Sequence, residues 1–380
     1  MKTPDQPAEE WAPPDSGLPP SLDSPPLPPS PPAPARSTWI VPAPPGSTFH
    51  RLARTPLHRW WRPLLGTVFA VVMGLLVLLC VTVGAMATAA LLGEQPLANT
   101  GKQQIFTDPG AELALQLTSL AVLTPVVLLA AWAVQRRPPG SLSSVTGRLR
   151  GRWLMTCIKL AIGASLLSYI ASWITFTVTG HREPPPPGWA GWAAFLPPAA
   201  AIVLLVPFQA AAEEYVFRGW LLQAIASCTL ETRRGLIGRA AGAVFRTPWP
   251  AILISAAVFT AGHAYKGWAL LDVSLFGITA GWLAVRTGGL EAPIALHALN
   301  NLVAFLSPAA LGRLGEAVRT TDVPWQSIIA TSVKLTVFAF LILRATRERR
   351  PATVTPGGPP EPPPTTIWTA RSRLDVLRQK

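Results

Sequence analysis

Eight apolar runs limit what this chain can fold into: 64–92, 112–135, 153–178, 199–228, 249–266, 268–285, 293–309 and 325–344. About twenty helical residues rise roughly 30 Å, the thickness of a bilayer's hydrocarbon layer. A helix also satisfies its own backbone polar groups where no water can. The runs therefore predict an all-α polytopic membrane protein with about eight transmembrane helices. Composition agrees, since 13% of residues are charged and 49% hydrophobic, against about 25% charged in soluble domains. A shorter apolar piece, "WAGWAAFLPP", precedes the fourth run and is expected to lie in the interface.

A net charge of +13 would suit nucleic acid in a soluble chain. In a membrane protein, arginines mark cytoplasmic loops and contacts with anionic lipid, so membrane lipids are the expected partner and nucleic acid is not. The loop after the second run carries Arg136, Arg137, Arg148, Arg150 and Arg152. The loop after the fourth carries Arg233, Arg234, Arg239 and Arg246, and the last run exits into "RATRERR". Alternate loops hold isolated charges such as Lys102 and Arg182. One topology satisfies this asymmetry: eight spans in a cell membrane with both termini cytoplasmic. "HRLARTPLHRWWR" before the first run reads as an interfacial anchor. Residues 1–49 and 351–380 are rich in Pro and are expected to be disordered tails, suited to binding a partner. Residues 50–180 form a unit of three helices, and 181–350 the remainder. The three cysteines, Cys80, Cys157 and Cys228, form no CxxC pair and are expected to be buried thiols.

Ionisable groups inside spans cost about 2.5–3.5 kcal/mol each on insertion scales and point to function. Glu214 and Arg218 stand four residues apart, on one helix face, and are expected to pair. Glu213 points about 100° away, free for chemistry. Phe259 lies one turn before His263 and can pack against it, and Gly262 is expected to let another helix approach. His297 and Asn301 share a face in the seventh span, next to Asn300. Asp272, in the sixth, reads as structural. Taken singly, each residue has a structural reading: an ion pair, a bonded imidazole, an amide between helices. Together, a spare Glu, two His and an Asn on three spans are the parts needed to activate water and stabilise an oxyanion.

At these residues the chain resembles the CAAX prenyl protease and bacteriocin-processing family of intramembrane proteases, the type II CAAX endopeptidase group. That family is recognised by Glu-Glu-x-x-x-Arg, Phe-x-x-x-His and His-x-x-x-Asn in order. Here they read "EEYVFR", "FTAGH" and "HALNN", and the likeness runs from about Pro198 to Pro308. The resemblance implies Glu213 as general base, with His263 helping to hold and activate water. It implies His297 and Asn301 at the oxyanion, with Glu214, Arg218 and Phe259 supporting, all within a catalytic core at 181–350. The cofactor stays open. Glu213, His263 and His297 would make a His₂Glu zinc site with one open position, a glutamate-type mechanism needs no metal, and HExxH is absent. The implied substrate is a membrane-bound or lipidated peptide. Counting 1.5 Å per residue puts Glu213 and His297 about 8–9 Å from the cytoplasmic edge, so the site is expected to open there.

Two other readings compete. One is a noncatalytic scaffold or immunity-type regulator of the same fold, acting through its Pro-rich tails. The other is a proton-coupled carrier using the buried Glu and His, although no inverted repeat is visible.

Overall fold

The computed structural model describes residues 39–94, 104–180, 188–228 and 235–357. Among these the secondary structure is helical, with two isolated antiparallel bridges, Thr48 to Val354 and Ser144 to Gly289. The helices are α1 Trp61–Leu91, α2 Pro109–Ala121, α3 Leu123–Ala133, α4 Gly151–Val178, α5 Trp192–Glu214, α6 Leu222–Ala226, α7 Leu236–Phe245, α8 Trp249–Ala261, α9 Gly267–Thr287, α10 Glu291–Ala310, α11 Leu314–Ala317 and α12 Gln326–Arg349. A π-helical segment, Tyr215–Leu221, joins α5 to α6. The chain is a multi-pass membrane protein. Six stretches are long and apolar enough to cross a bilayer: α1, α2 with α3, α4, α5 through α6, α9 and α12.

All eight expected runs are helical, but two differ from simple spans. The fifth, expected to reach 266, stops at Ala261 after 13 residues. Gly262 follows, and His263 Nδ1 lies 2.8 Å from the Phe259 carbonyl, occupying an acceptor that the next turn would have used. The seventh, α10, carries His297, Asn300 and Asn301 within its 20 residues, which lowers its apolar character. The second run breaks at Val122 because Pro125 has no N–H and its ring crowds the carbonyl of Ala121. From Trp192 the piece expected in the interface forms the first turns of α5, which continues through Pro197, Pro198 and Pro207.

The arginine-bearing segments meet at one end of the bundle. Val41 N donates to Arg136 O at 3.0 Å, and Val145 N to Gly288 O at 2.9 Å. Arg51 reaches the carbonyl of Arg246, Arg54 that of Ala226, and Arg150 that of Ala352. Arg137 is fully buried there, donating to Gln135, Ser141 and Gln223. Burial among neutral acceptors pushes its pKa down to about 9. At the opposite end, Lys266 N donates to Thr321 O and Ala190 N to Ala310 O. That end carries Lys266, Arg313 and Arg319 beside Glu94, Asp108, Glu112, Glu316 and Asp322.

Both expected tails are partly built into the fold. Phe49 and Leu52 are buried, and Ser47 N donates to Thr355 Oγ1 at 2.9 Å. Residues 39–49 and 351–357 are therefore ordered against each other, because a few apolar anchors outweigh the Pro-rich composition; 1–38 and 358–380 lie outside the described residues, as do Lys102, Arg182, Arg233 and Arg234. Of the thiols, Cys157 is buried, whereas Cys80 and Cys228 are exposed. Cys157, Ala161 and Ala164 form a small-residue face of α4 against which α12 packs, and Ser168 Oγ donates to Ala330 O at 2.8 Å.

Candidate active site

The site is assembled where α5, the π-helical segment, α8, α9 and α10 meet. Glu214 closes α5 and Arg218 follows in the π-helix, its Nη1 donating to Glu214 Oε1 at 3.0 Å, as the four-residue spacing predicts. Both side chains are fully buried. Arg218 Nη2 also donates to Gly277 O at 3.3 Å, and its guanidinium carbon stands 4.2 Å from the centre of the Phe259 ring. The widened π turn sits beside an unusual bond: the Phe217 carbonyl accepts from Ser255 Oγ of α8 at 2.6 Å. Such bulges tend to occur at functional positions.

Small residues let α9 come close. A Cβ at Gly277 would stand 3.2 Å from Ala256 Cβ and 3.3 Å from Phe259 Cδ1, and one at Gly281 3.2 Å from Ile252. The close approach expected at Gly262 is absent; a Cβ there would meet only the carbonyls of Phe259 and Val258. The reason is that Gly262 ends its helix instead of facing a neighbour.

His297 lies between the two glutamates. Its Nδ1 is 2.7 Å from Glu214 Oε1 and its Nε2 is 3.7 Å from Glu213 Oε2, beyond hydrogen-bond length. With Glu214 taking the Nδ1 proton, Nε2 is turned toward Glu213. Gln209 donates to Glu213 Oε1 at 2.5 Å and accepts from Asn301 at 3.0 Å. Asn300 donates to Asn301 at 3.4 Å and accepts from Lys334 of α12 at 2.5 Å. Asp272 is not isolated either: Thr331 hydrogen-bonds it and Lys334 faces it. Among the described residues, Glu213 Oε2 is buried without a hydrogen-bond partner.

A cavity of about 350 Å³ lies against this carboxylate. Glu213 and His263 form its polar wall, and Leu120, Leu123, Val216, Phe217 and Phe259 its apolar one. Gly262–Tyr265, Val318, Thr320 and Thr321, at the arginine-poor end, also line it. The turn that follows the short α8 forms part of its wall. The His263 ring packs on Phe259 at 4.6 Å and stacks on Tyr265 at 5.5 Å.

The structure thus brings Glu213, Glu214, Arg218, Phe259, His297 and Asn301 into one contact network, with His263 joined through Phe259 and the cavity. His297 and Asn301 stand behind Glu213 and do not line the cavity. No group of three or more His, Cys, Asp or Glu among the described residues is arranged to hold a metal ion, Glu213, His263 and His297 included. Sequence reasoning missed Gln209, although it lies four residues before Glu213 on the same face, and Lys334, although it is a cation set in the apolar stretch of α12.

Fold and site define a multi-pass membrane protein with a buried carboxylate–histidine centre beside an internal cavity. Residues 194–303, which contain all three motifs, match the family model described as Rce1-like, type II CAAX prenyl endopeptidase Rce1-like. The chain is also 23% identical over 211 residues to the uncharacterized protein YyaK of Bacillus subtilis, a match spanning 53% of this chain and 62% of that relative. No solved structure matches.

Proposed function

We propose that the protein is an intramembrane endopeptidase that hydrolyses a peptide bond of a membrane-associated peptide with water activated by Glu213. The observation that carries this reading is the half-used carboxylate. Gln209 holds Oε1 at 2.5 Å, Oε2 is buried without a hydrogen-bond partner, and Glu213 shares the wall of a cavity with His263. A water held between Glu213 and His263 loses its proton to Oε2 as its oxygen attacks the scissile carbonyl carbon. The C–N bond then breaks, and the proton passes from Glu213 to the departing amine. Removal from bulk water strengthens the action of every nearby dipole on the developing charge.

His297 acts through Glu213. Fixed by Glu214 at Nδ1, its Nε2 edge faces Oε2 and limits where that oxygen can turn. Arg218 balances the charge of Glu214. The match of 194–303 to a peptidase family supports the same chemistry. For the oxyanion, the proposed donor is Tyr265, which lines the cavity and stacks on His263, whereas His297 and Asn301 do not line it.

The test compares membrane proteomes of cells carrying the wild-type chain and Glu213→Gln. A precursor should accumulate in the variant, with its cleavage slowed by about 10²–10⁴-fold. His263→Ala should accumulate the same precursor. Unchanged processing in both variants, each at wild-type abundance, would refute the proposal.

A further inference from the structure

A series of side-chain amides runs from Glu213 to a lysine on α12, and every bond in it points the same way. Lys334 Nζ donates to Asn300 Oδ1 at 2.5 Å, and Asn300 Nδ2 to Asn301 Oδ1 at 3.4 Å. Asn301 Nδ2 donates to Gln209 Oε1 at 3.0 Å, and Gln209 Nε2 closes the series on Glu213 Oε1 at 2.5 Å. The bonds cross from α12 to α10 and from α10 to α5.

An amide has no direction of its own. Its oxygen and its NH₂ are nearly the same size, and half a turn about the last side-chain bond exchanges them. Asn300, Asn301 and Gln209 can therefore be reversed together without moving the backbone. The two ends of the series forbid it, because an ammonium group only donates and an ionised carboxylate only accepts. Lys334 demands the oxygen of Asn300, which sends each following NH₂ toward Glu213. Asp272 of α9 faces Lys334 as its counter-charge, and Lys334 does not itself line the cavity beside Glu213.

We infer that Lys334 is a positioning residue for the hydrolysis. Through Asn300 and Asn301 it fixes the direction of the Gln209 amide, so that Glu213 Oε1 meets an N–H. Resting on the endopeptidase reading, this explains why a span carries a cation that never reaches the reacting atoms. The reversed series would set Gln209 Oε1 against Glu213 Oε1. Those oxygens bond only when Glu213 carries a proton, and a carboxyl that is already protonated takes none from water. A lysine that merely paired with Asp272 would act on folding and nothing further.

The experiment separates direction from packing. Lys334→Met keeps the stem and removes the donor, whereas Lys334→Arg keeps a group that only donates. The probe is the precursor that accumulates in membranes carrying Glu213→Gln. Its processing should fall about 10- to 100-fold in Lys334→Met at wild-type abundance, and Lys334→Arg should restore most of it. Wild-type processing by Lys334→Met overturns the inference, and so does Lys334→Arg at wild-type abundance with no gain over Lys334→Met. Thermal unfolding in detergent reads the series without cleavage. Lys334 and Gln209 are two amides apart, so separate local contacts would give additive melting shifts. A series with one direction makes the Lys334→Met shift smaller once Gln209→Leu is present. Additive shifts overturn the relay whatever becomes of the endopeptidase reading, and absence of a precursor with Glu213→Gln overturns that reading alone.

Discussion

Arg218 offers the sharpest test of how the site is held. It is fully buried, pairs with Glu214 at 3.0 Å, donates to Gly277 O and covers the Phe259 ring. Arg218→Met keeps an apolar stem of similar length but leaves Glu214 with His297 as its remaining partner. Breaking a buried pair by removing one member costs about 3–5 kcal/mol, which is two to almost four decades in the folding equilibrium. Glu214→Gln should cost a comparable amount, because it strands the guanidinium. The double variant removes both charges together and should lie at least about 2 kcal/mol above the sum of the single losses. All three variants should nonetheless fail to cleave, since His297 then lacks a correctly balanced carboxylate at Nδ1. Stability is read as unfolding of detergent-purified protein by circular dichroism, and cleavage as precursor loss in membranes. Additive single costs would refute the coupling, and a double variant that cleaves at the wild-type rate would refute the role given to His297.

Gln209→Leu takes away the donor to Glu213 Oε1 at 2.5 Å. A hydrogen bond to a charged group contributes about 1.5–3 kcal/mol, so cleavage should fall roughly 10- to 150-fold in protein that still purifies as a folded monodisperse species; an unchanged rate would show that the amide does not position the base. Gly277→Val inserts side-chain atoms where a Cβ alone would lie 3.2 Å from Ala256 Cβ, and should cost about 1–3 kcal/mol while moving Phe259 off Arg218. A melting temperature equal to wild type would show that α8 and α9 can separate freely. His50, buried and beside Arg51 and Arg54, has its pKa lowered from 6.5 to about 4, chiefly by burial. Its folded pKa lies below the unfolded one, so the unfolded chain binds the proton first. Stability is complete above pH 6.5 and falls by up to about 3 kcal/mol as pH drops toward 4. His50→Phe should flatten that slope in melting curves, and an unchanged slope would assign the pH dependence elsewhere.

The helical bundle was legible because a bilayer demands long apolar helices, and the paired glutamates because residues four apart share a face. What stayed hidden depends on contacts between distant helices. The π-helix after Glu214 sits beside a bond from Ser255 of α8 to the Phe217 carbonyl, and nothing within "EEYVFRGWL" announces it. The short α8 turns on one imidazole reaching back to the Phe259 carbonyl, so hydropathy overran its end by five residues. Gln209 was readable by the rule that paired Glu214 with Arg218, yet an amide in an apolar helix attracts less notice than a charge. These hidden contacts decide how the base works. Helical phase alone says that Glu213 is free, which would let either oxygen take a proton in any direction. Gln209 holds one oxygen, His297 limits the other, and Asn301 with Asn300 ties that arrangement to Lys334 on α12. A carboxylate fixed in this way keeps one orientation beside one cavity, which is what general-base attack on one face of a peptide carbonyl requires.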